Sequence, residues 1–147
     1  LSEPFTDSLN VLLVEDNPTD VRLTREAFEE VDARMKLHVV RDGEEALEFV
    51  TGSGAYSERI PPDIILLDLN LPKKDGFEVL RDLKEHPDYK KIPVIVLTTS
   101  GSHTDILKTY NLHANSYIQK PVELEAFMGA VQSLRLYWFA TVTLPPI

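Results

Sequence analysis

The sequence predicts a doubly wound α/β domain on a five-stranded parallel sheet, and three observations carry that prediction. Five strand-length apolar runs follow one another, stretches of helical period fill the intervals, and three of the runs are apolar throughout. Unbroken Val, Ile and Leu runs belong to parallel strands covered on both faces, because a strand with one wet face alternates instead. Parallel neighbours need crossover connections, and a βα alternation supplies them as helices packed on the sheet.

The first run, Asn10 to Val14, reads NVLLV. A helix over Pro18 to Val31 follows, with Asn17 as its N-cap and Pro18 at the first helical position, where a missing N–H is tolerated. Val21, Ala27, Phe28 and Val31 recur at near-helical spacing and form its inner face. Leu37 to Val40 is the second strand and Gly43 to Thr51 the second helix. The stretch GSGAYSERIPP is a Gly, Ser and Pro loop leading to the third strand, Ile64 to Leu67. Gly76 to Glu85 is the third helix, Val94 to Leu97 the fourth strand and Thr104 to Leu112 the fourth helix. Ser116 to Ile118 is the fifth strand, and Val122 to Tyr137 is a final helix of about four turns. Residues 1–8 are expected to be a loosely attached tail, 9–137 the domain and 138–147 a C-terminal extension.

A length of 147 residues suits one domain with a core large enough to need no staples. The absence of cysteine excludes disulfides, thiolate metal sites and cysteine nucleophiles, and makes the cytoplasm the expected compartment. No run approaches the roughly 18 apolar residues of a spanning helix, so no membrane is expected as partner. A net charge of −9 argues against nucleic acid, whose binders carry a basic stripe.

In a doubly wound sheet ligands gather beyond the carboxyl ends of the strands. The first strand ends in Glu15-Asp16, the third in Asp68-Leu69-Asn70 and the fourth in Thr98-Thr99-Ser100, while the fifth leads to Lys120-Pro121. Three carboxylates at one edge repel by roughly 4 kcal/mol per close pair at an effective dielectric near 20, and a cation must offset that. Oxygen donors without His or Cys select a hard ion, Mg2+ or Mn2+, together with a phosphate oxygen. Lys120 adds a compact positive charge for a phosphoryl oxygen and Thr98 a hydroxyl donor, which leaves Asp68 as the candidate nucleophile. DLNLPKKDG has the look of a calcium loop, but Lys73 stands where that loop needs Gly and Val79 where it needs Glu. His38, His86, His103 and His113 form no metal-binding spacing.

The order acidic pair, Asp-x-Asn, Thr and Lys-Pro across residues 10–137 resembles the two-component receiver domain. The resemblance implies a flavodoxin-like strand order 2-1-3-4-5 and a domain that catalyses its own phosphorylation and dephosphorylation rather than acting on other substrates. It further implies Asp68 as phosphoacceptor, Asp16 as a direct metal ligand, Glu15 as a ligand through water, and Asn70 as donor of a backbone carbonyl to the metal. Thr98 resembles the switch hydroxyl, Tyr117 the aromatic that changes rotamer with it, and Lys120 the phosphate-binding lysine; Pro121 is expected to follow a cis bond. Two departures stand out. Glu15 replaces a commoner Asp, and His113 stands where Gly often ends the fourth helix, a place of positive φ that His adopts less readily. The GSGAYSERIPP insertion, LTTS, YNLHANSYIQKPV and the terminal YWFATVTLPPI resemble the small regulators of bacterial phytochrome histidine kinases, which implies such a kinase as partner.

Two alternatives carry the same strand-end Asp. A Mg-dependent aspartyl phosphatase of the haloacid type requires Asp two residues later, where Asn70 stands, and a cap insertion that this sequence lacks. A phosphorylation-independent scaffold is disfavoured by the full set of site residues. The last helix has a core stripe in Leu124, Phe127, Met128, Val131 and Leu134. Leu136, Trp138, Phe139, Val142 and Leu144 exceed it and are expected to form a homodimer interface, the alternative being a tail folded back on its own domain. With ten residues after Tyr137, output is expected through protein contacts.

Overall fold

A computed structural model describes residues 8–31, 34–139 and 141–146; the tail expected at the N-terminus lies, up to residue 7, outside the described residues, as do the side chains of Val31 and Phe139. The elements run β1 (Leu9–Val14), α1 (Pro18–Val31), β2 (Met35–Val40), α2 (Gly43–Thr51), β3 (Ile64–Leu67), α3 (Gly76–Glu85), β4 (Val94–Thr98), α4 (His103–Asn111), β5 (Ser116–Gln119) and α5 (Leu124–Leu134). All pairings are parallel and the strand order is β2-β1-β3-β4-β5. The expected fold is thus observed, with strand ends shifted by one or two residues. β2 begins at Met35 because an edge strand tolerates the exposed Lys36.

Alternate residues of the central strands enter two separate cores, as the pleat requires. Leu12, Val14, Ile65, Leu67, Val94 and Val96 meet Ala46 and Phe49 of α2 and Val79, Leu80 and Leu83 of α3. Val11, Leu13, Ile64, Leu66, Ile95 and Leu97 meet Val21, Ala27 and Phe28 of α1 and Phe127, Val131 and Leu134 of α5. Burial of each such side chain contributes about 1.5–3 kcal/mol, which fixes the sheet between its helical layers.

Four of the five α-helices start at polar side-chain caps; α5 begins after Glu123 without one. Asn17 Oδ1 accepts from the N–H groups of Thr19 and Asp20 at 2.9 and 3.1 Å. Asp42 caps α2, Asp75 and Glu78 form a reciprocal capping box on α3, and Ser102 caps α4, one residue earlier than predicted. Two glycines are dictated by close approach. A Cβ at Gly43 would lie 1.9 Å from the Lys74 carbonyl oxygen, and one at Gly76 would lie 2.3 Å from that of Asp68. α4 closes with His113 at φ 73°, and the Ala114 N–H reaches the Thr109 carbonyl at 3.0 Å. The sequence flagged this position, and His does occupy the left-handed region there.

The insertion after α2 is ordered by its own side chains. Gly54–Tyr56 forms a short 3-10 turn, and the Tyr56 hydroxyl donates to the Glu45 carboxylate. Arg59 donates to the carbonyls of Phe49 and Val50 at 2.9 and 2.8 Å, satisfying the end of α2. No helix is long and apolar enough to cross a membrane among the described residues.

After α5 a π-helical turn, Arg135–Phe139, leads into the tail. Trp138 and Leu144 pack, partly buried, against the core beneath α1 and α5, and Lys91 Nζ donates to the Pro146 carbonyl at 2.6 Å. Pro145 and Pro146 line a cavity of about 370 Å³ with Pro61, Pro62, Lys91 and Ile92, at the amino edge of the sheet. Trp138 and Leu144, assigned from the sequence to an interface between chains, thus pack in part on their own domain. Apolar surplus beyond α5 finds uncovered surface on its own domain first. Leu136 remains exposed and Val142 half-buried.

Candidate functional site

Glu15, Asp68 and Lys120 each stand one position past a strand and Thr98 ends one, and neighbouring backbone pins them there. The Glu15 N–H donates to the Val40 carbonyl at 3.0 Å, that of Asp68 to Val14 at 3.1 Å and that of Lys120 to Thr98 at 2.7 Å. Glu15, Asp68 and Thr98 are buried in consequence, whereas Asp16 and Asn70 are exposed.

Lys120 Nζ lies at the centre of this edge. It is 2.5 Å from Glu15 Oε1, 2.9 Å from Asp20 Oδ2 and 3.6 Å from Asp68 Oδ2. Burial by itself depresses the ammonium, but the hydrogen bonds to Glu15 and Asp20 outweigh it and hold Lys120 above the usual lysine range. Burial likewise pushes the Glu15 carboxyl up to about 7, against the pull of the Lys120 hydrogen bond and with the Asp68 charge adding to the rise. The sequence argument gave the task of offsetting these carboxylates to a metal ion; here the ammonium takes part of it.

Among the described residues no three Asp, Glu, His or Cys side chains stand together as a metal-holding group. Asp16 is exposed, and Lys120 bonds Glu15 beside Asp68. The donor chemistry nevertheless suits a hard divalent ion, since carboxylates at residues 15, 16 and 68 and the adjoining loop backbone offer oxygen alone.

Thr98 Oγ1 is buried and has no hydrogen-bond partner among the described residues. A hydroxyl in that state is a donor awaiting an acceptor, which fits a phosphoryl oxygen. Tyr117 does not meet it through a hydrogen bond: the β4–β5 register sets Thr98 against Gln119 and Val96 against Tyr117. The Tyr117 hydroxyl instead donates to the Ser100 carbonyl at 2.8 Å, and Ser100 Oγ donates to Asp105 Oδ2 at 2.7 Å. Tyr117 of β5 and Asp105 of α4 are thus both tied to the loop that follows Thr98.

In the loop after Asp68, Lys73 has φ 67° and the Lys74 N–H reaches the Pro72 carbonyl at 2.8 Å, a γ-turn of the strained kind. The Lys120–Pro121 bond is trans, as are all peptide bonds described. The expected cis form is not adopted; trans is the intrinsic preference of X–Pro bonds, by about 0.5–1 kcal/mol. Sequence reasoning missed Asp20, an acid in the first turn of α1, and Ser100, which acts through both its carbonyl and its hydroxyl.

A cavity of about 270 Å³ opens beside the site between α1 and the segment after β5, lined by Asp20, Leu23, Thr99, Lys120 and Val122 among others. Val122 is fully exposed and Leu124 half so.

Residues 11–132 match the response regulator receiver domain. The chain belongs to that family. This receiver is 45% identical over 135 residues to the response regulator Rcp1 of Synechocystis sp. (strain ATCC 27184 / PCC 6803 / Kazusa), a span of 92% of each protein. Its structure resembles that of the phosphorylated cyanobacterial phytochrome response regulator RcpA, with a TM-score of 0.90, 44% identity and coverage of 95% and 99% of the two chains. The Mn2+-bound form of Rcp1 matches the receiver with a TM-score of 0.86 and 44% identity over 94% and 99% of the chains.

Proposed function

We propose that this receiver takes a phosphoryl group onto Asp68 from a phytochrome-type sensor histidine kinase and signals through protein contacts. The observation that carries this reading is the pairing of a buried Asp68 carboxylate with a Lys120 ammonium 3.6 Å away and an unpartnered Thr98 hydroxyl at the adjoining strand end. An Asp68 oxygen attacks phosphorus as the bond to the donor's nitrogen breaks, and the departing imidazole keeps the electron pair and takes up a proton. Lys120 and Thr98 then hold two of the phosphoryl oxygens. Asp16, Asp68 and the Asn70 carbonyl, with Glu15 through water, would hold a divalent ion, Mg2+ or Mn2+, which would neutralise the gathering negative charge. Existing structures of Mn2+-bound Rcp1 and phosphorylated RcpA support both parts of this reading.

Thr98 drawn onto the phosphoryl group pulls the Ser100 loop, and with it the Tyr117 hydroxyl and α4. The face so altered exposes Leu107 and Tyr110 of α4 and Leu136 and Tyr137 beyond α5. This surface suits a symmetric homodimer, with Leu136 inside the contact and Trp138 and Leu144 bracing it from below. Exposed Val122 and Leu124 beside the α1 cavity suit the approach of the kinase.

Incubation with acetyl phosphate and Mg2+, followed by intact mass of wild type and Asp68→Asn, tests the assignment. Wild type gains one phosphoryl group and the variant none; equal phosphorylation of both overturns it.

A further inference from the structure

Asp20 has no part in the functional reading above, yet its carboxylate holds one of the hydrogens of the Lys120 ammonium. An ammonium has three donors. Two are committed, to Glu15 Oε1 at 2.5 Å and Asp20 Oδ2 at 2.9 Å, while Asp68 Oδ2 stands off at 3.6 Å. Asp20 cannot travel with the lysine, because the first turn of α1 fixes its backbone: its N–H donates to Asn17 Oδ1 at 3.1 Å and its carbonyl accepts from the Thr24 hydroxyl at 2.8 Å. The Lys120 side chain is 8% exposed and that of Asp20 31%, so the contact ties the floor of the site to its α1 rim.

We infer that Asp20 is a positioning residue that holds the Lys120 ammonium away from the acceptor until a phosphoryl oxygen competes for it. The inference rests on Asp68 as phosphoacceptor. A phosphoryl group brings about −1.5 to −2 charges and three acceptor oxygens, against the single charge of Asp20. The ammonium then exchanges one charge-assisted hydrogen bond for a stronger one, and only hydrogen bonds change in the exchange. Removing the Asp20 charge lets Lys120 settle toward Asp68 in advance, so a phosphoryl mimic no longer has to displace that contact.

The test titrates beryllofluoride, which adds a phosphoryl-like group to a carboxylate, at saturating Mg2+. The chains are wild type, Asp20→Asn, Asp20→Ala, Asp20→Glu, and Glu26→Gln as a control that removes a charge from α1 away from Lys120. Melting temperatures establish that each is folded, and the Cε resonance of carbon-labelled Lys120 is followed in parallel. Asp20→Asn and Asp20→Ala bind the mimic about two- to fivefold more tightly, the range set by a partly exposed ion pair. In the mimic-free state their Lys120 resonance moves toward its position in the wild-type complex. Asp20→Glu returns both readouts toward wild type, and Glu26→Gln changes neither. Folded Asp20→Asn and Asp20→Ala chains with unchanged or weaker affinity, an unmoved Lys120 resonance, or an equal gain in Glu26→Gln overturn the inference. A wild-type chain that binds no beryllofluoride and takes no phosphoryl group from acetyl phosphate ends the functional reading, and this inference with it; failure of the Asp20 variants alone leaves that reading standing.

Discussion

A buried hydroxyl left without a partner costs about 1–3 kcal/mol, and Thr98 Oγ1 is in that position. Thr98→Val, which keeps the shape and removes the polar atom, is therefore expected to stabilise the unphosphorylated chain by about 1 kcal/mol in urea unfolding. The same variant, once phosphorylated, is expected to lose the hydrogen-exchange changes that wild type shows over α4 and β5, because nothing then draws the Ser100 loop inward. The acceptor itself is expected to depend on a divalent ion: excess EDTA abolishes phosphorylation by acetyl phosphate, and Asp16→Ala lowers Mg2+ affinity measured by amide shifts. Asp68, Thr98 and Lys120 were legible in the sequence because each follows an apolar run and the fold sends all such ends to one edge. Asp20 was not. Its meaning lies in a contact to a residue 100 positions away, and on its own it reads as an ordinary acid in a first helical turn.

Elements are joined here by polar ties that their hydrophobic pattern does not announce. Lys84, near the end of α3, donates to the carbonyls of Lys90 and Ile92 at 3.0 and 2.8 Å and to Asn115 Oδ1 at 3.2 Å, binding the entry of β4 to the turn before β5. Lys84→Met removes the donor from all three acceptors and is expected to destabilise by about 1–3 kcal/mol. Burial pushes the Lys84 ammonium down to about 8 from its ordinary 10.5. Between those values the unfolded chain keeps a proton that the folded chain has released, so this contribution to stability rises with pH across the window and is lost as pH falls through 8. The stability gap between wild type and Lys84→Met, from urea midpoints, is expected to widen accordingly. At the end of α4, His113→Gly relieves a left-handed residue and is expected to raise stability by about 1 kcal/mol. The sequence announced this last feature through a departure from pattern. It identified every strand and helix, but the ends moved: β1 begins at the buried Leu9, and backbone pairing carries β5 past its apolar residues to Gln119.

At the scale of the molecule the sequence could count surplus apolar residues after α5 but could not say whose surface they cover, since the hydrophobic effect has no direction of its own. Trp138 and Leu144 cover their own domain. A chain ending at Tyr137 is therefore expected to be less stable by about 2 kcal/mol in thermal unfolding. Self-association, in contrast, is expected to depend on exposed Leu136: Leu136→Glu yields a monomer in sedimentation at concentrations where wild type is dimeric, and a wild type that is itself monomeric there removes the dimer from the proposal. The ion pair between Lys120 and Glu15 spans 105 residues, joining the end of the first strand to the end of the last. Loop closure on that scale comes late in folding, and on a ribosome it must wait for the fifth strand to emerge. A nascent chain that already displays Asp68 has no ammonium beside it. On the proposed reading, competence to receive the signal is expected only once the sheet is complete.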